Sequence, residues 1–372
     1  MLAHAASQTP PVPVEVRHVE GDGSRSTSHS DDSSSSDLED DEEEWCIPPS
    51  MSLSALDEIL PRMADEGLPG GGEFLLAPLI REARTARLIA LVAWHGFLPM
   101  CEPDAGFLLS KLHRRRCVLH PGGTHVGKKT RKQAKAYVLS VDTAWDDVVR
   151  GVQEHTFTTC KGDCWLSNDM SALYASVNDL PAAQRRGGVT FHSIELRHKA
   201  TGELVAGEIG YTCGSVYTSC TGFSLKEKYP GAGTVQLVAL GRWLARSGFQ
   251  LWDLGMELSY KVELGAESIP RSQWILRQRK LRAIPATLVS PVGLEASSAS
   301  FLLAGQADEQ MLRDASSTPF CTVNAAGGDD PSPSGKPPST KRPHLSGVAP
   351  QNCGAGGLPA SVPRPMLTLF GT

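Results

Sequence analysis

Residues 201–255 run TGELVAGEIGYTCGSVYTSCTGFSLKEKYPGAGTVQLVALGRWLARSGFQLWDLG, and their reading decides the fold. Residues 199–202, Lys-Ala-Thr-Gly, are turn chemistry between an alternating strand at 191–197 and a strand at 203–211 that returns antiparallel to it. Residues 214–219 supply a third strand. Thr234 is a predicted N-cap for a helix whose apolar face holds Val235, Val238, Leu244 and Ala245, and Gly248 ends that helix. Residues 249–254 then read as a buried strand leading into Trp252-Asp253-Leu254-Gly255. A hairpin, a third strand, a helix and a further strand make an α+β arrangement. It delivers a polar residue to the mouth of the sheet beside a Gly-rich helix entry, a suitable place to hold an activated acyl group.

The chain has 372 residues, enough for one large domain or two smaller ones with tails. With 40% hydrophobic and 21% charged residues, it has the material for a sizeable core. Its net charge of -5 conceals a segregation of acid and base. Residues 33–36 are serines and 37–44 almost wholly acidic, so 1–50 is expected to be a disordered acidic tail. A domain is expected at 51–150, a second at 151–283, and a mostly disordered Ala, Ser, Gly and Pro-rich tail at 284–372.

Within the first domain, Leu79, Ile80, Ala83, Leu88, Val92 and Trp94 mark a helix that Gly96 and Pro99 terminate. Residues 107–112 fit a short strand or a helix, and 137–141 alternate as a strand. Leu166, Met170, Leu173 and Val177 have helical spacing, with Ser167 or Asn168 as cap. No run of about 18 apolar residues suggests a membrane span, and no secretory leader is visible. Nine irregularly spaced cysteines then point to a reducing compartment, the cytoplasm.

Residues 105–141 contain no Asp or Glu but carry Lys111, Arg114, Arg115, Arg116, Lys128, Lys129, Arg131, Lys132 and Lys135. Gly122, Gly123 and Gly127 suggest a flexible loop within this block. Clustered cations match a phosphate backbone, whose condensed counterions they release; a solvated basic face, or a dock for the acidic tail, has the same composition. The turn Lys228-Tyr229-Pro230-Gly231-Ala232-Gly233 opens into a helix and loosely resembles the pyrophosphate turn of GNAT-type acyltransferases. A purely structural turn reads the same way. Asp253 needs a hydrogen-bond partner if buried, so a structural anchor and a catalytic aid both fit it. Trp165, Tyr174 and Phe223 fit either a pocket wall or the core. Cys160, Cys164 and His155 lack a second ligand pair for zinc, and Cys220 reads as an inert thiol.

The order Trp165-Leu166-Ser167-Asn168 to Tyr174, His192-Ser193-Ile194-Glu195, Leu204-Val205-Ala206-Gly207-Glu208-Ile209-Gly210-Tyr211, Phe223-Ser224, Trp252-Asp253, Leu264-Gly265-Ala266 and Ile269-Pro270-Arg271 resembles the leucyl/phenylalanyl-tRNA–protein transferase family. Gly96-Phe97-Leu98-Pro99 looks like that family's Gly-aromatic-Phe-Pro turn. The resemblance covers roughly residues 74–276 and implies a GNAT-like acyltransferase domain behind a smaller N-terminal α/β domain. It implies transfer of Leu, Phe or Met from aminoacyl-tRNA to the N-terminal Arg or Lys of a protein, marking it for degradation.

By the same resemblance, Trp165, Tyr174, Phe223 and Ser224 hold the aminoacyl-adenosine end, and Asp253 is catalytic. The basic block, Arg114, Arg115, Arg116, Lys128, Lys129, Arg131 and Lys132, meets the tRNA backbone. The chain departs from the family pattern at Cys220-Thr221-Gly222, where Glu-Ser-Met is usual and the Glu is proposed to meet the acceptor. It departs also at Gly255, where the family has Gln, and at Met100, where it has Trp.

The aminoacyl ester is already activated, so the implied reaction demands no ATP, metal or other cofactor. An α-amine with a pKa of about 7.7–8.0 is roughly a tenth free base at pH 7, and positioning it against the ester is worth about 7–11 kcal/mol. Two other classes stay open: an acyl-CoA-dependent N-acetyltransferase using the Gly-rich turn, and a non-catalytic tRNA-binding protein.

Overall fold

The structure is a computed structural model that describes residues 45–79, 82–101, 106–161, 164–293 and 297–304. The acidic run at 37–44 and the segment from 305 to 372 lie outside the described residues.

The first layer is a four-stranded sheet. Strand β1 (Trp45–Cys46) runs parallel to β2 (Phe74–Pro78), which pairs antiparallel with β4 (Phe107–Lys111), and β4 pairs antiparallel with β3 (Leu98–Cys101). Residues 107–111 are thus a strand. Helices α1 (Leu53–Glu66) and α2 (Glu82–Trp94) belong to this layer. On α1, Leu56, Leu60 and Ala64 recur at i, i+4 and i+8 and are buried, while the Ser52 hydroxyl accepts the Ala55 N–H at the cap.

The larger sheet has seven strands in the order β11-β5-β10-β9-β8-β7-β6. They are β5 (Arg115–Leu119), β6 (Tyr137–Val141), β7 (Thr190–His198), β8 (Leu204–Cys213), β9 (Val216–Ser224), β10 (Leu251–Asp253) and β11 (Glu267–Pro270). Because β5 and β6 precede residue 150, this sheet draws strands from both sides of the boundary expected there. Between them lie α3 (Lys128–Ala134), α4 (Trp145–His155) with a π-helical turn (Thr156–Cys160), and α5 (Asn168–Asp179). Helices α6 (Ala232–Arg246), α7 (Ser259–Glu263), α8 (Arg271–Leu281) and α9 (Ala299–Leu302) follow. Among the described residues no helix is long and apolar enough to cross a membrane.

Local chemistry explains most of these boundaries. Ser167 caps α5, its hydroxyl accepting the Met170 N–H at 3.1 Å. Helix α6 starts at Ala232 rather than after Thr234, because Gly231 takes a left-handed φ of 86° and turns the chain three residues early. The stretch expected to be a flexible basic loop is a 3-10 turn (Pro121–Gly123) followed by α3. Helices α4 and α5 bury Val148, Val152, Met170 and Val177 against one side of the sheet. Helix α6 buries Val235, Val238 and Leu244 with Tyr217 and Trp252 on the other.

Strands β9 and β10 are the parallel pair around α6, with Leu251 opposite Val216, Trp252 opposite Tyr217 and Asp253 opposite Thr218. Beyond Asp253 the chain leaves the sheet at Gly255 (φ 73°), whereas β9 continues to Ser224. The two strands therefore part, and the edge of β9 beyond Thr218 loses its β10 partner.

A buried ion pair fixes that parting point. Arg116 on β5 and Asp253 on β10 are almost wholly excluded from solvent, with 3.2 Å between Arg116 Nη1 and Asp253 Oδ2. This approach is an ion pair without an aligned hydrogen bond. Asp253 Oδ1 accepts the Gly255 N–H at 2.9 Å, and Arg116 Nη2 donates to the Gly96 carbonyl at 2.9 Å. The guanidinium also lies 4.5 Å from the ring centre of Trp274 on α8. One cation thus joins β5, β10, α8 and the turn before β3.

Asp253→Ala leaves that cation buried and unpaired, and is expected to cost about 3–5 kcal/mol in a urea unfolding series. The double variant Arg116→Met with Asp253→Leu recovers most of this loss; equal midpoints for wild type and Asp253→Ala would show that the pair holds nothing. At Gly96 (φ 94°) a Cβ would stand 2.5 Å from the Trp274 ring, so Gly96→Ala loses at least about 1 kcal/mol in the same assay.

Candidate active site

The gap between β9 and β10 opens into a cavity of about 210 Å³. Residues 219–222 of β9 form one wall, and Leu254, Gly255, Met256, Leu258, Tyr260 and Lys261 the opposite wall. Leu98 and Met100 on β3, Trp165 before α5, and His155 at the end of α4 complete the apolar part. Lys111, His113 and Lys261 supply its polar part. Among the described residues no Asp or Glu lines this cavity.

Lys261 is 8% exposed and its ammonium donates to the Leu254 and Met256 carbonyls, the latter at 2.8 Å. Burial pushes its pKa down to about 8, so it is largely charged at pH 7. His113 is held well below the ordinary histidine value by burial and then by Arg116, Lys111 and Lys261, and so is neutral. Cys220, expected to be inert, has its pKa pushed well above the usual thiol value by burial and then by Glu208 and Asp253.

Glu208 lies behind the wall, on the α6 side. Its carboxylate accepts hydrogen bonds from Tyr217 Oη and Ser219 Oγ, both at 2.8 Å, and from Gln236 Nε2 at 3.1 Å. The Trp252 indole N–H donates to Ser219 Oγ at 2.9 Å, so a chain of donors ends on this one acid. Burial raises its pKa.

A second, larger cleft of about 690 Å³ lies between α4 with its π turn and the end of β9. Arg150, Glu154, Thr158, Phe223, Ser224 and Lys226 are among its walls, and His155 belongs to both cavities. The Phe223 ring lies over Gly151 of α4, where a Cβ would approach it to 2.5 Å. A glycine inside an amphipathic helix makes this close contact possible.

The residues expected at the site divide among these places. Trp165 lines the small cavity, and Phe223 and Ser224 line the larger cleft. Tyr174 does neither: it is fully buried, stacks on Phe191 with ring centres 3.9 Å apart, and donates its hydroxyl to the Pro99 carbonyl. It is a core residue. Asp253 faces Arg116 and the Gly255 N–H rather than either cavity, so it positions the strand end.

Arg116, expected on the tRNA backbone, is that buried partner. Arg115 is bound to the Ser268 hydroxyl and carbonyl, and Arg114 donates to the Gly71 carbonyl, though both are exposed. Lys128, Lys129, Arg131 and Lys132 are exposed on α3, which packs near α6 and α9 and contributes to neither cavity described here.

The Gly-rich turn is already engaged. Gln133 donates to the Pro230 carbonyl at 2.7 Å and its carboxamide stands where a Cβ on Gly231 would fall, 2.7 Å away. Lys228 pairs with Glu203 at 2.7 Å. Sequence patterns missed Lys261, a single charged residue without a motif; His155 enters the sequence reading only with Cys160 and Cys164 for zinc, and Glu208 only within the motif Leu204–Tyr211, with no role of its own. Among the described residues, no group of three or more His, Cys, Asp or Glu side chains is placed to hold a metal.

A larger cleft and a small cavity that share one histidine as a wall suit a reaction between two substrates, one large and one small. Residues 118–279 match the family model described as leucyl/phenylalanyl-tRNA protein transferase. The leucyl/phenylalanyl-tRNA–protein transferase of Thiobacillus denitrificans is 32% identical over 175 residues, 46% of this chain and 69% of the relative. That of Paracoccus denitrificans is 27% identical over 203 residues, 54% and 86% respectively. Among solved structures, FemX aligns over 58% of this chain and 75% of its own, at 8% identity and a TM-score of 0.33. L-PGS from Bacillus licheniformis aligns over 54% and 57%, at 15% identity and a TM-score of 0.29. On its sequence relatives and the matched model, the chain belongs to the leucyl/phenylalanyl-tRNA–protein transferase family, a family of aminoacyltransferases.

Proposed function

We propose that the chain moves an aminoacyl group (Leu, Phe or Met in the first instance) from charged tRNA to the N-terminal amine of a protein in the cytoplasm, marking that protein for degradation. The observation that carries this reading is that the two cavities share His155 as a wall, the smaller one lying in the opening between β9 and β10. The larger cleft has the size of an ordinary ligand site, about 300–1,000 Å³, and its Phe223 and Ser224 hold the terminal adenosine. The acyl carbon then sits at the His155 threshold with Trp165 beside it. The amine enters from the small cavity, where its attack needs alignment more than acid–base chemistry.

Asp253 serves this reaction indirectly, by fixing the strand end and the Gly255 backbone against which the amine lies. The exposed cations of α3 make a surface for the acceptor-stem backbone, away from the chemistry. The acyl-CoA alternative loses its phosphate site to Gln133 and to the Lys228–Glu203 pair. The acceptor implied by the resemblance, an N-terminal Arg or Lys, finds no carboxylate among the described residues that line the small cavity.

Labelled Leu-, Phe- and Met-tRNA incubated with peptides differing only at their first residue will give peptides extended by one residue, read by mass. No extended peptide from any charged tRNA, together with thermal protection by acetyl-CoA, would replace this reading with the acetyltransferase one.

A further inference from the structure

The small cavity is built to receive an anion. Among the described residues its lining carries the ammonium groups of Lys261 and Lys111 and no carboxylate. Of the described acids near it, Asp253 is committed to Arg116 and the Gly255 N–H, Glu208 to three donors on the α6 side of the sheet, and Glu257 is exposed and outside the lining. Lys111 has a distant partner in Glu73 at 3.8 Å, which lies outside the lining.

Lys261 gives two of its three ammonium hydrogens to the Leu254 and Met256 carbonyls. Those carbonyls orient the group but bring no charge to neutralise it. Among the described residues no carboxylate is in contact with it; Asp253 and Glu208 act on it only from a distance, and an anionic ligand in contact lowers the cost of burying the ammonium. A guanidinium or second ammonium in the same space faces two cations. At Cys220, where the resemblance puts the family's acceptor-facing Glu, the same wall offers a neutral thiol. A thiol stands on one wall and a lysine on the other.

Resting on the transferase reading, we infer that the small cavity takes the side chain of an acidic first residue, Asp or Glu, of the acceptor protein, with Lys261 pairing to its carboxylate. Its volume, about 210 Å³, falls below the range of a nucleotide-sized site and suits one residue.

The test uses the full chain, whichever charged tRNA supports transfer, and peptides beginning with Asp, Glu, Asn, Gln, Arg or Lys but otherwise identical. The expected kcat/KM is at least about tenfold higher for Asp or Glu than for the amides or for Arg and Lys. Lys261→Met abolishes that preference, Lys261→Arg retains it, and neither changes the KM for charged tRNA. Transfer confined to Arg or Lys peptides, or equal rates for Asp and Asn, overturns the inference and leaves the transferase reading standing. A raised tRNA KM in Lys261→Met, with every peptide slowed alike, overturns it by assigning Lys261 to a tRNA phosphate. Transfer to no peptide from any charged tRNA overturns both.

Discussion

The site depends on one buried cation and the acid that neutralises it. Arg116 cannot be left alone in the interior, so β10 must present Asp253 to it, and β10 must end there because the same carboxylate takes the Gly255 N–H. The chain then turns away at Gly255 while β9 runs on, and the space between them is the small cavity. Arg116 also reaches the Gly96 carbonyl and the Trp274 ring, so the turn before β3, and with it Leu98 and Met100, is held against that space. A pair of this kind adds little net stability over a well-packed apolar pair. Its contribution here is geometry: it sets where the sheet opens and what stands around the opening.

The charges are sorted by side. Behind β9, Glu208 collects donors from Tyr217, Ser219 and Gln236, and is sealed under α6. In front, the cavity keeps lysines and a neutral histidine. This separation follows from strand alternation, which sends neighbouring residues of β8 and β9 to opposite faces. It lets one stretch of sequence carry both a structural acid and an acid-free ligand wall.

Much of the fold was legible because its signals are local. The alternation at 137–141 and 191–197, the turn at 199–202, the Ser167 cap and the strand before Gly255 each follow from neighbouring residues alone. The site was less legible because its assignments depend on which way a side chain turns. Tyr174 has the spacing of a pocket residue and of a core residue alike, and its place against Phe191 is decided by tertiary packing. Within Arg114-Arg115-Arg116, strand alternation sends the middle residue out and Arg116 inward, but three identical side chains do not show which one has a buried acid 137 positions later. The glycines at 122, 123 and 127 suggested a loop, yet the run from Lys128 has helix-forming residues throughout and closes on Ala134. Lys261 belongs to no motif, and its meaning appears only when the described residues lining the cavity are taken together and no carboxylate is among them.

The central claim is that the opening between β9 and β10 is where the charged end of a tRNA meets an amine. A crystal structure with a stable, amide-linked aminoacyl-adenosine tests it most directly. The account predicts the nucleoside in the cleft beside Phe223 and Ser224, with the acyl carbon at His155 and facing the small cavity. Density for the ligand at the turn formed by Gly231 and Gly233, with both cavities left as they are, would contradict it.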